Sequence, residues 1–586
     1  MKQISDYDFI CVTGDCYVDH PSFGIAIIVR LLESCGYSVA IIDAPDVKNR
    51  NCFTVYGQPK LGFFVTSGNI DSMVSNYTTA LKKRSDDVYI VKGYPKRPDR
   101  ALIRYCNMIR DSYPDSQIII GGLEASLRRL SHYDYWDDRI MPSVLADSNA
   151  DILVYGMGEH QTVQIAKSLA NGDDLTSIMG TVVKSNTLHE GYKLLPSYRN
   201  VVSDKKQFVL SFKTQYDNND YTNAVGLAEK YDGFYILQNP PAAPLTTPEL
   251  DKTYALPFTR KPHDKYSGCK VDSLDEVEFS IIHNRGCFGA CNFCSLAFHQ
   301  GKYVTSRSKE SVVNEAKSFV SDENFKGYIS DVGGPTANFR SHNCKTCESN
   351  GFCKNKRCLS PTVCENLKID HNEYLEILRE LRDIEGIKKV FIRSGIRFDY
   401  LIEDKNEEFF KELVLHHISG QLKVAPEHCS DKVLDIMGKP RFEHYKRFKD
   451  KYTRINKSFN KKQYLVPYLI SSHPGCTLKD AVLLAEYLRD VSYIPEQVQD
   501  FYPTPGTMST CMYHTGINPL TGENVFVPKT PQEKAMQRAL LQYTHIKNYD
   551  LVCKALKEEK REDLIGFGKK CLIKPRTNKK KIRYKL

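Results

Sequence analysis

The sequence contains, at residues 285–294, the stretch RGCFGACNFC, which follows a predicted strand at 277–283. It places Cys287, Cys291 and Cys294 at C-x3-C-x2-C spacing. A closed zinc site has four protein ligands, and ferredoxin-type runs supply a fourth cysteine at short range. Three thiolates on a four-iron cluster leave one iron without a protein ligand, and an open iron can hold a substrate. The stretch therefore predicts a 4Fe–4S cluster that takes part in chemistry.

Strand and helix patterns alternate around and after this stretch. Six such units predict a partial (β/α)6 barrel. In barrels of parallel strands the chemistry lies at the C-terminal strand ends, which is where these cysteines stand. The six strand patterns lie at 277–283, 327–331, 389–394, 422–425, 464–470 and 498–502.

A second alternation precedes the barrel, and its strands with helices between them predict a doubly wound parallel sheet. Residues 200–275 are polar and turn-rich, which is typical of a connector. We therefore predict an α/β chain with four parts. These are a Rossmann-like N-terminal domain at 1–199, the connector at 200–275, the barrel at 276–525, and a helical C-terminal extension at 526–586.

Composition excludes several classes of protein. Hydrophobic residues at 41% and charged residues at 26% of 586 positions exclude a disordered or coiled-coil chain. The sequence has neither a membrane-length apolar run nor a secretion signal at its start, and its thiols suit a reducing compartment, so we predict a cytoplasmic protein. Nine basic residues and no acidic one lie at 569–586, which leaves +1 of the net +10 for the rest. This basic run is typical of a solvated tail.

The cysteine loop resembles the signature of the radical S-adenosylmethionine (SAM) enzymes. In that superfamily the open iron chelates the amino and carboxylate groups of SAM, and an electron from the cluster splits the sulfonium bond to give a 5'-deoxyadenosyl radical. The resemblance implies that Phe293 lies beside the adenine. It also implies that the backbone of Gly333 and Gly334 meets the amino group of SAM, although Pro335 stands where many members have an acidic residue.

Three further segments, at 391–394, 422–434 and 502–507, are similar to the core of radical SAM methylthiotransferases. This similarity implies that Ser394 and Glu427, polar residues at strand ends, contact the ribose of SAM. Ordinary loop hydrogen bonding accounts for the same two residues equally well, so both interpretations stay open.

Nearly the whole chain resembles the YgiQ-type radical SAM proteins, and this implies an N-terminal domain similar to cobalamin-binding domains. The resemblance is carried by GLEASLRR at 122–129, HYDYW at 132–136 and GGPTAN at 333–338. Cobalamin-binding domains use Asp-x-His-x-x-Gly, in which the histidine is the lower ligand. Here Asp19 is adjacent to His20, and Gly24 lies one residue too far. We therefore do not expect cobalamin held by a histidine, and binding without such a ligand is left open.

A second group of cysteines lies in a polar insertion at 340–366. So short a segment has little apolar core, and metal ligation supplies folding free energy of order 10 kcal/mol for a structural zinc. An auxiliary iron–sulfur cluster and a zinc site fit the spacing equally well, and five free thiols in a loop are the alternative. The resemblance leaves Cys347 spare. The ligands that it favours are Cys344, Cys353, Cys358 and Cys364.

We predict a radical SAM enzyme that uses SAM and a 4Fe–4S cluster on an unknown substrate, with an electron donor such as flavodoxin or ferredoxin. No residue is assigned to chemistry on the substrate itself. One alternative is methylthiotransferase-like modification of RNA or protein, although no RNA-binding barrel is recognised after residue 525. Another is a non-catalytic metal-binding module that binds nucleic acid through the basic run.

Overall fold

The computed structural model describes residues 6–342 and 344–576. Strands and helices alternate in its N-terminal part. The strands are β1 (Phe9–Thr13), β2 (Val39–Asp43), β3 (Gly62–Thr66), β4 (Ile118–Gly121), β5 (His132–Asp134), β6 (Arg139–Met141), β7 (Ile152–Val154), β8 (Thr181–Ser185), β9 (Lys193–Leu194), β10 (Leu227–Lys230) and β11 (Tyr235–Gln238). The helices are α1 (Gly24–Ser34), α2 (Ser72–Asn76), α3 (Ala101–Ser112), α4 (Gly122–Leu127), α5 (Val144–Asp147), α6 (Glu159–Asn171), α7 (Tyr198–Ser203) and α8 (Lys205–Asp217).

Over residues 6–342, nine of these strands build one sheet with the order β2-β1-β3-β4-β7-β8-β11-β10-β9, and β5 and β6 pair separately. Its first five strands run parallel and have the order of a flavodoxin-like sheet. Apolar clusters cover both faces, which is why every residue of β1 is buried. The predicted doubly wound parallel sheet is confirmed, and antiparallel pairing of β8 with β7 and β11 extends it.

Residues 200–275 contain more regular structure than a connector, which corrects the sequence-based description. Helix α8 lies in this segment, and β10 and β11 complete the N-terminal sheet. A buried carboxylate interrupts the apolar pattern of β10. Glu229 is 0% exposed and accepts hydrogen bonds from the Ser131 N–H at 3.1 Å and the Tyr231 hydroxyl at 2.7 Å. Because the pattern reports apolar residues only, it missed a strand whose polar residue is satisfied inside the fold.

The barrel follows the connecting helices α9 (Thr247–Tyr254) and α10 (Asp272–Asp275). Parallel pairing joins β12 to β16, β15 to β17, and β18 to β19 and then β20, which confirms the predicted partial barrel. The strands are β12 (Ser280–Ile282), β13 (Asn284–Arg285), β14 (Thr305–Ser306), β15 (Tyr328–Ile329), β16 (Asp331–Gly333), β17 (Lys389–Val390), β18 (Gln421–Glu427), β19 (Tyr464–Ser471) and β20 (Gln499–Asp500). The helices are α11 (Leu296–His299), α12 (Lys309–Val320), α13 (Lys345–Asn350), α14 (Asn372–Asp383), α15 (Phe398–Ile402), α16 (Glu408–Glu412), α17 (Asp431–Met437), α18 (Phe442–Ser458), α19 (Leu478–Asp490) and α20 (Met508–Thr515).

Helix α4 of the N-terminal sheet packs against α11, which directly follows the cysteine loop. The Ser126 hydroxyl lies 3.0 Å from Nδ1 of His299. The Arg129 guanidinium lies over the Phe298 ring, 3.9 Å from its centroid. The GLEASLRR segment is therefore an interface between the sheet and the barrel.

The HYDYW segment makes a second contact of this kind, with residues near the end of the barrel. Ring centroids lie 6.1 Å apart for Tyr133 and Tyr513, 6.0 Å for Tyr135 and Tyr502, and 5.8 Å for Trp136 and Tyr502. Aromatic pairs at such distances add to the free energy of apolar burial. Aromatic side chains thus join the N-terminal part of the chain to the end of the barrel.

The C-terminal extension consists of α21 (Pro531–Leu541) and α22 (Tyr549–Glu558), packed on α19. The start of the predicted basic tail belongs to this core, because Leu572 and Ile573 are each 6% exposed within it. The remainder of that run, from residue 577, lies outside the described residues. Among the helices of the described part of the chain, none has the length and apolarity needed to cross a bilayer.

Replacing Leu572 with alanine should loosen the C-terminal extension. A large-to-small change at such a buried position costs about 2–5 kcal/mol. We expect hydrogen–deuterium exchange to accelerate in α21 and α22. The matched control is Phe567→Ala, at a large apolar side chain that is 80% exposed, which should leave exchange unchanged. Equal effects of the two variants would contradict the packing described here.

Candidate active site

The cysteine loop begins with a tight turn that requires glycine. Gly286 has a φ of +81°, and a Cβ there would overlap the carbonyl oxygen of Tyr303. The next residue is tied down, because the Cys287 N–H donates to the Gly301 carbonyl at 3.1 Å. The loop therefore leaves β13 in one direction and returns against the segment that follows α11.

The three predicted ligand thiols are grouped in the structure. The Cys287 Sγ lies 3.4 Å from the Thr336 hydroxyl, two residues beyond the Gly-Gly pair. The pKa of Cys294 is raised to about 12 by burial and by the neighbouring Cys291 and Cys287. When several thiols are buried close together, the free energy of their thiolate forms is high unless a nearby cation offsets it.

A cation that the sequence pattern does not reveal lies beside these thiols. The Arg397 Nη1 lies 3.6 Å from the Cys291 Sγ, and its Nε donates to Asp399 at 2.8 Å. Burial disfavours charge on both groups, but their attraction holds the pKa of Arg397 above and that of Asp399 below the ordinary value. A fixed guanidinium stabilises nearby thiolates.

Phe293 and Glu427 lie on this side of the barrel. The Phe293 ring meets His473 edge-on, with centroids 5.9 Å apart. Glu427 has a φ of +65°, is 6% exposed and pairs with the Lys439 ammonium at 3.7 Å. Burial raises the pKa of Glu427, whereas Lys439 lowers it. Phe293 is therefore part of the cysteine loop, and Glu427 lies near its Cys294.

A cavity of about 670 Å³ lies between the C-terminal edge of the N-terminal sheet and the barrel. Parallel sheets of this type bind ligands at that edge. Gly333, Gly334 and Ser394 line the cavity together, and the lining includes neither Phe293 nor Glu427. Of the predicted SAM residues, Gly333, Gly334 and Ser394 thus lie at the cavity, whereas Phe293 and Glu427 lie at the cysteine loop. Thr336, two residues beyond Gly334, contacts Cys287 of that loop.

Two polar residues of the cavity wall were missed in the sequence. Asn284 is 1% exposed, and its Oδ1 has no hydrogen-bond partner among the described residues. This oxygen lies against Gly334, where a Cβ would overlap it. Asp331 accepts the Arg393 N–H at 2.7 Å and the Ser394 hydroxyl. The hydroxyl predicted to contact ribose therefore donates to Asp331.

The donor set of the first cysteine group fits an iron–sulfur cluster, which proteins hold by cysteine thiolates. Within 6–342 and 344–576, no three His, Cys, Asp or Glu side chains converge so as to hold one metal ion. A cluster distributes its thiolates over several irons, so its ligands stand further apart than those of one ion. Cys287, Cys291 and Cys294 supply three such thiolates, and Arg397 lies beside Cys291.

Comparisons with known proteins agree with this site. The Radical SAM N-terminal model matches residues 1–280, the Radical SAM superfamily model 281–485, and a domain of unknown function (DUF3362) 496–585. A UPF0313 protein of Clostridium perfringens is 53% identical over 579 residues, covering 97% of this chain and 88% of the relative. One from Clostridium botulinum strain Loch Maree is 54% identical, covering 98% and 90%. The chain belongs to the UPF0313 family. It is a radical SAM enzyme, so the alternative of a non-catalytic module is set aside.

Two solved structures resemble the UPF0313 chain at low identity. The radical SAM methyltransferase TsrM from Kitasatospora setae, with tryptophan and a SAM analogue bound, is 14% identical, with a TM-score of 0.49 over 86% of this chain and 76% of that one. The cobalamin-dependent SAM radical enzyme OxsB with aqua-cobalamin is 11% identical, with a TM-score of 0.47 over 95% and 62%. At these values no ligand carries over to the UPF0313 chain.

The second cysteine group is also brought together. The Cys347 thiol, predicted to be spare, is 3% exposed and lies among the others. The pKa of Cys358 is raised to about 12 by burial first and then by its neighbours. These are Cys347, Cys344, Cys364 and Cys353. The structure therefore gathers all five thiols and does not single out Cys347.

The insertion has more anchoring than its polar sequence indicates. Leu359 and Leu367 share a small apolar cluster with Phe288 of the cysteine loop. The Arg357 Nη1 donates to the Ala290 carbonyl at 2.9 Å, and its other nitrogen donates to Asn292. The segment thus has little apolar core of its own, as expected, and shares one with the cysteine loop.

His20 is a buried packing residue. It is 0% exposed, its Nδ1 accepts the Ser22 N–H at 3.0 Å, and its Nε2, which then carries the hydrogen, donates to the Glu278 carbonyl at 3.3 Å, with the Arg260 Nη1 2.6 Å away. Burial and the Arg260 charge lower the pKa of His20 to about 3. Both ring nitrogens therefore have partners within the protein.

The second group should retain metal when the first is removed. In a variant with Cys287, Cys291 and Cys294 all replaced by alanine, we expect about four irons or one zinc per chain by elemental analysis. Adding Cys358→Ala to this triple variant should remove the remaining metal. A triple variant free of metal would show that the insertion is a cysteine-rich loop without a metal centre.

Proposed function

We propose that this enzyme binds a 4Fe–4S cluster through Cys287, Cys291 and Cys294 and cleaves SAM reductively. The observation that carries the proposal is the contact of Cys287 with Thr336, which joins the grouped thiols to the Gly333-Gly334 turn at the cavity. When bound, the cluster supplies the electron that cleaves SAM to the 5'-deoxyadenosyl radical, which abstracts hydrogen from the substrate. The protein supplies an open coordination position, because the loop contributes three thiolates.

Asn284 would hold the amino group of SAM. Its Oδ1 is an unpartnered acceptor against Gly334, and the N–H groups of an amine that binds iron through its lone pair are donors. Pro335, which stands where relatives have an acidic residue, has no side-chain acceptor. A neighbouring residue on β13 thus provides the polar contact that the glycine turn lacks.

Arg397 and Lys439 would balance the negative charge of the site. Arg397 lies at the thiols, and Lys439 neutralises the buried Glu427 beside them. Fixed charges of this kind need no rearrangement when the charge of the site changes. Phe293, beside His473, remains our proposed contact for the adenine.

We further propose that four of the insertion cysteines hold a second iron–sulfur cluster or a zinc ion. The gathering of buried thiols around Cys358 supports this, because a bound cation offsets the cost of their charge. The ligands that we propose are Cys344, Cys353, Cys358 and Cys364.

A cytoplasmic location also belongs to this proposal. All nineteen cysteines are free, which fits a reducing compartment. The external electron donor that we propose is a flavodoxin or ferredoxin. The contacts described above do not favour modification of RNA.

Replacing Cys287, Cys291 or Cys294 with alanine should abolish reductive SAM cleavage. Two thiolates leave more than one iron without a protein ligand. The measurement is the yield of 5'-deoxyadenosine from anaerobically reconstituted, dithionite-reduced protein. The control Cys106→Ala, at a buried thiol of the sheet core, should keep the native yield. Native cleavage by any of the three loop variants would refute the assignment.

Replacing Asn284 with alanine should weaken SAM binding by up to about tenfold, since one hydrogen bond contributes about 0.5–1.5 kcal/mol. The dissociation constant of SAM is measured on reconstituted protein. Asn338→Ala is the control, because Asn338 is equally buried but bonds to His371 and the Arg397 carbonyl instead. If both variants bind SAM equally well, Asn284 does not contact it.

A further inference from the structure

The Arg397 guanidinium divides its nitrogens between a carboxylate and a thiol. Its Nε and Nη2 donate to the Asp399 carboxylate at 2.8 and 2.5 Å, whereas its Nη1 lies 3.6 Å from the Cys291 Sγ. Arg397 is 8% exposed and Asp399 is fully buried. A planar guanidinium has donors on both edges, so a carboxylate bound to one edge fixes the direction of the other. Asp399 therefore holds the Nη1 edge toward the thiol.

This approach depends on Gly289, a residue of the cysteine loop between two of the ligand thiols. A Cβ at Gly289 would overlap the Arg397 Nη1 and would stand 3.3 Å from the Cys287 Sγ. The φ of Gly289 does not lie in the left-handed region, so its backbone conformation is open to any residue. The space taken by the guanidinium, and not the turn of the chain, is what requires a glycine here.

The nearer charge of the Arg397–Asp399 pair dominates at the thiols. The Nη1 edge faces Cys291, and the Asp399 oxygens lie at the opposite edge of the guanidinium. Coulomb energy falls with distance and is weakly screened at a buried site, so Asp399 cancels only part of the attraction between Arg397 and negative charge on the thiols. Reduction of a four-iron cluster adds one electron, and hence one negative charge, without making or breaking a bond. The guanidinium therefore stabilises the reduced form more than the oxidised form.

We propose that Arg397, in the space left by Gly289, raises the reduction potential of the cluster at the first cysteine group. The potential of an iron–sulfur cluster depends on hydrogen bonds to its sulfurs and on its electrostatic surroundings. A higher potential allows a weaker reductant, such as the flavodoxin or ferredoxin proposed above, to supply the electron. This role rests on the proposed function, because it needs a cluster held by these cysteines.

Two variants test the role without leaving a buried charge unpaired. Gly289→Ala retains Arg397 and Asp399 but displaces the Nη1 end from Cys291. The double variant Arg397→Met with Asp399→Leu removes both charges, so the net charge is unchanged and neither partner is left alone. Since each variant loses one charge-assisted hydrogen bond, we expect the equilibrium to move about tenfold toward the oxidised cluster, which is a fall of about 59 mV for one electron.

The measurement is a redox titration of the full-length, anaerobically reconstituted protein. It follows the electron paramagnetic resonance signal that changes when SAM is added, which separates this cluster from one in the insertion. The control is Gly395→Ala, two residues from Arg397. A Cβ there meets no atom within 4 Å, and the φ of Gly395 also lies outside the left-handed region. Its potential should equal that of the native protein.

A native potential in Gly289→Ala or in the double variant overturns the proposal, and so does an equal fall in Gly395→Ala. If the double variant alone loses the signal, Gly289→Ala decides. Loss of the signal in both would mean that Arg397 serves cluster assembly, which also overturns the proposal. A native protein without any signal that responds to SAM would refute the proposed function and this role together.

Discussion

The ion pair between Arg285 and Glu159 is the contact on which the arrangement of the site depends. It joins the strand end before the cysteine loop to the first residue of a helix of the N-terminal sheet. Removing one partner of a buried pair leaves an uncompensated charge, at a cost of about 3–5 kcal/mol. The pair also lines a smaller cavity that reaches Cys353 of the insertion. Loop, sheet and insertion are therefore positioned around one contact.

The two cysteine groups are mechanically connected. Arg357 of the insertion donates to the backbone of Ala290 inside the first loop, and the insertion shares its apolar cluster with Phe288. Loops derive their order from such contacts, because they have few of their own. The conformation of the first loop is thus supported by a segment that itself contains five thiols, of which Cys353 is exposed and the other four are buried or half-buried.

The features that sequence could predict are those whose information is local. Cysteine spacing and strand periodicity lie within short segments, so the first loop, the parallel sheet and the barrel were all foreseen. Asn284 and Arg397 carry no such pattern, since their roles depend on which strand ends the fold places side by side. Glu229 shows how a local pattern can mislead. Its buried carboxylate has hydrogen-bond partners inside the fold, but in the sequence it makes a true strand look like a polar linker.

The chain has one tryptophan, and the fold places it at the contact between the N-terminal part of the chain and the end of the barrel. Trp136 lies 5.8 Å from Tyr502 in the barrel and 5.9 Å from the Arg128 guanidinium, measured between ring centroids and from the guanidinium carbon. Its indole emission therefore arises from a single environment. Separation of the N-terminal sheet from the barrel would hydrate that ring and shift its fluorescence to longer wavelength. The contact between the HYDYW segment and the barrel thus has a built-in optical reporter.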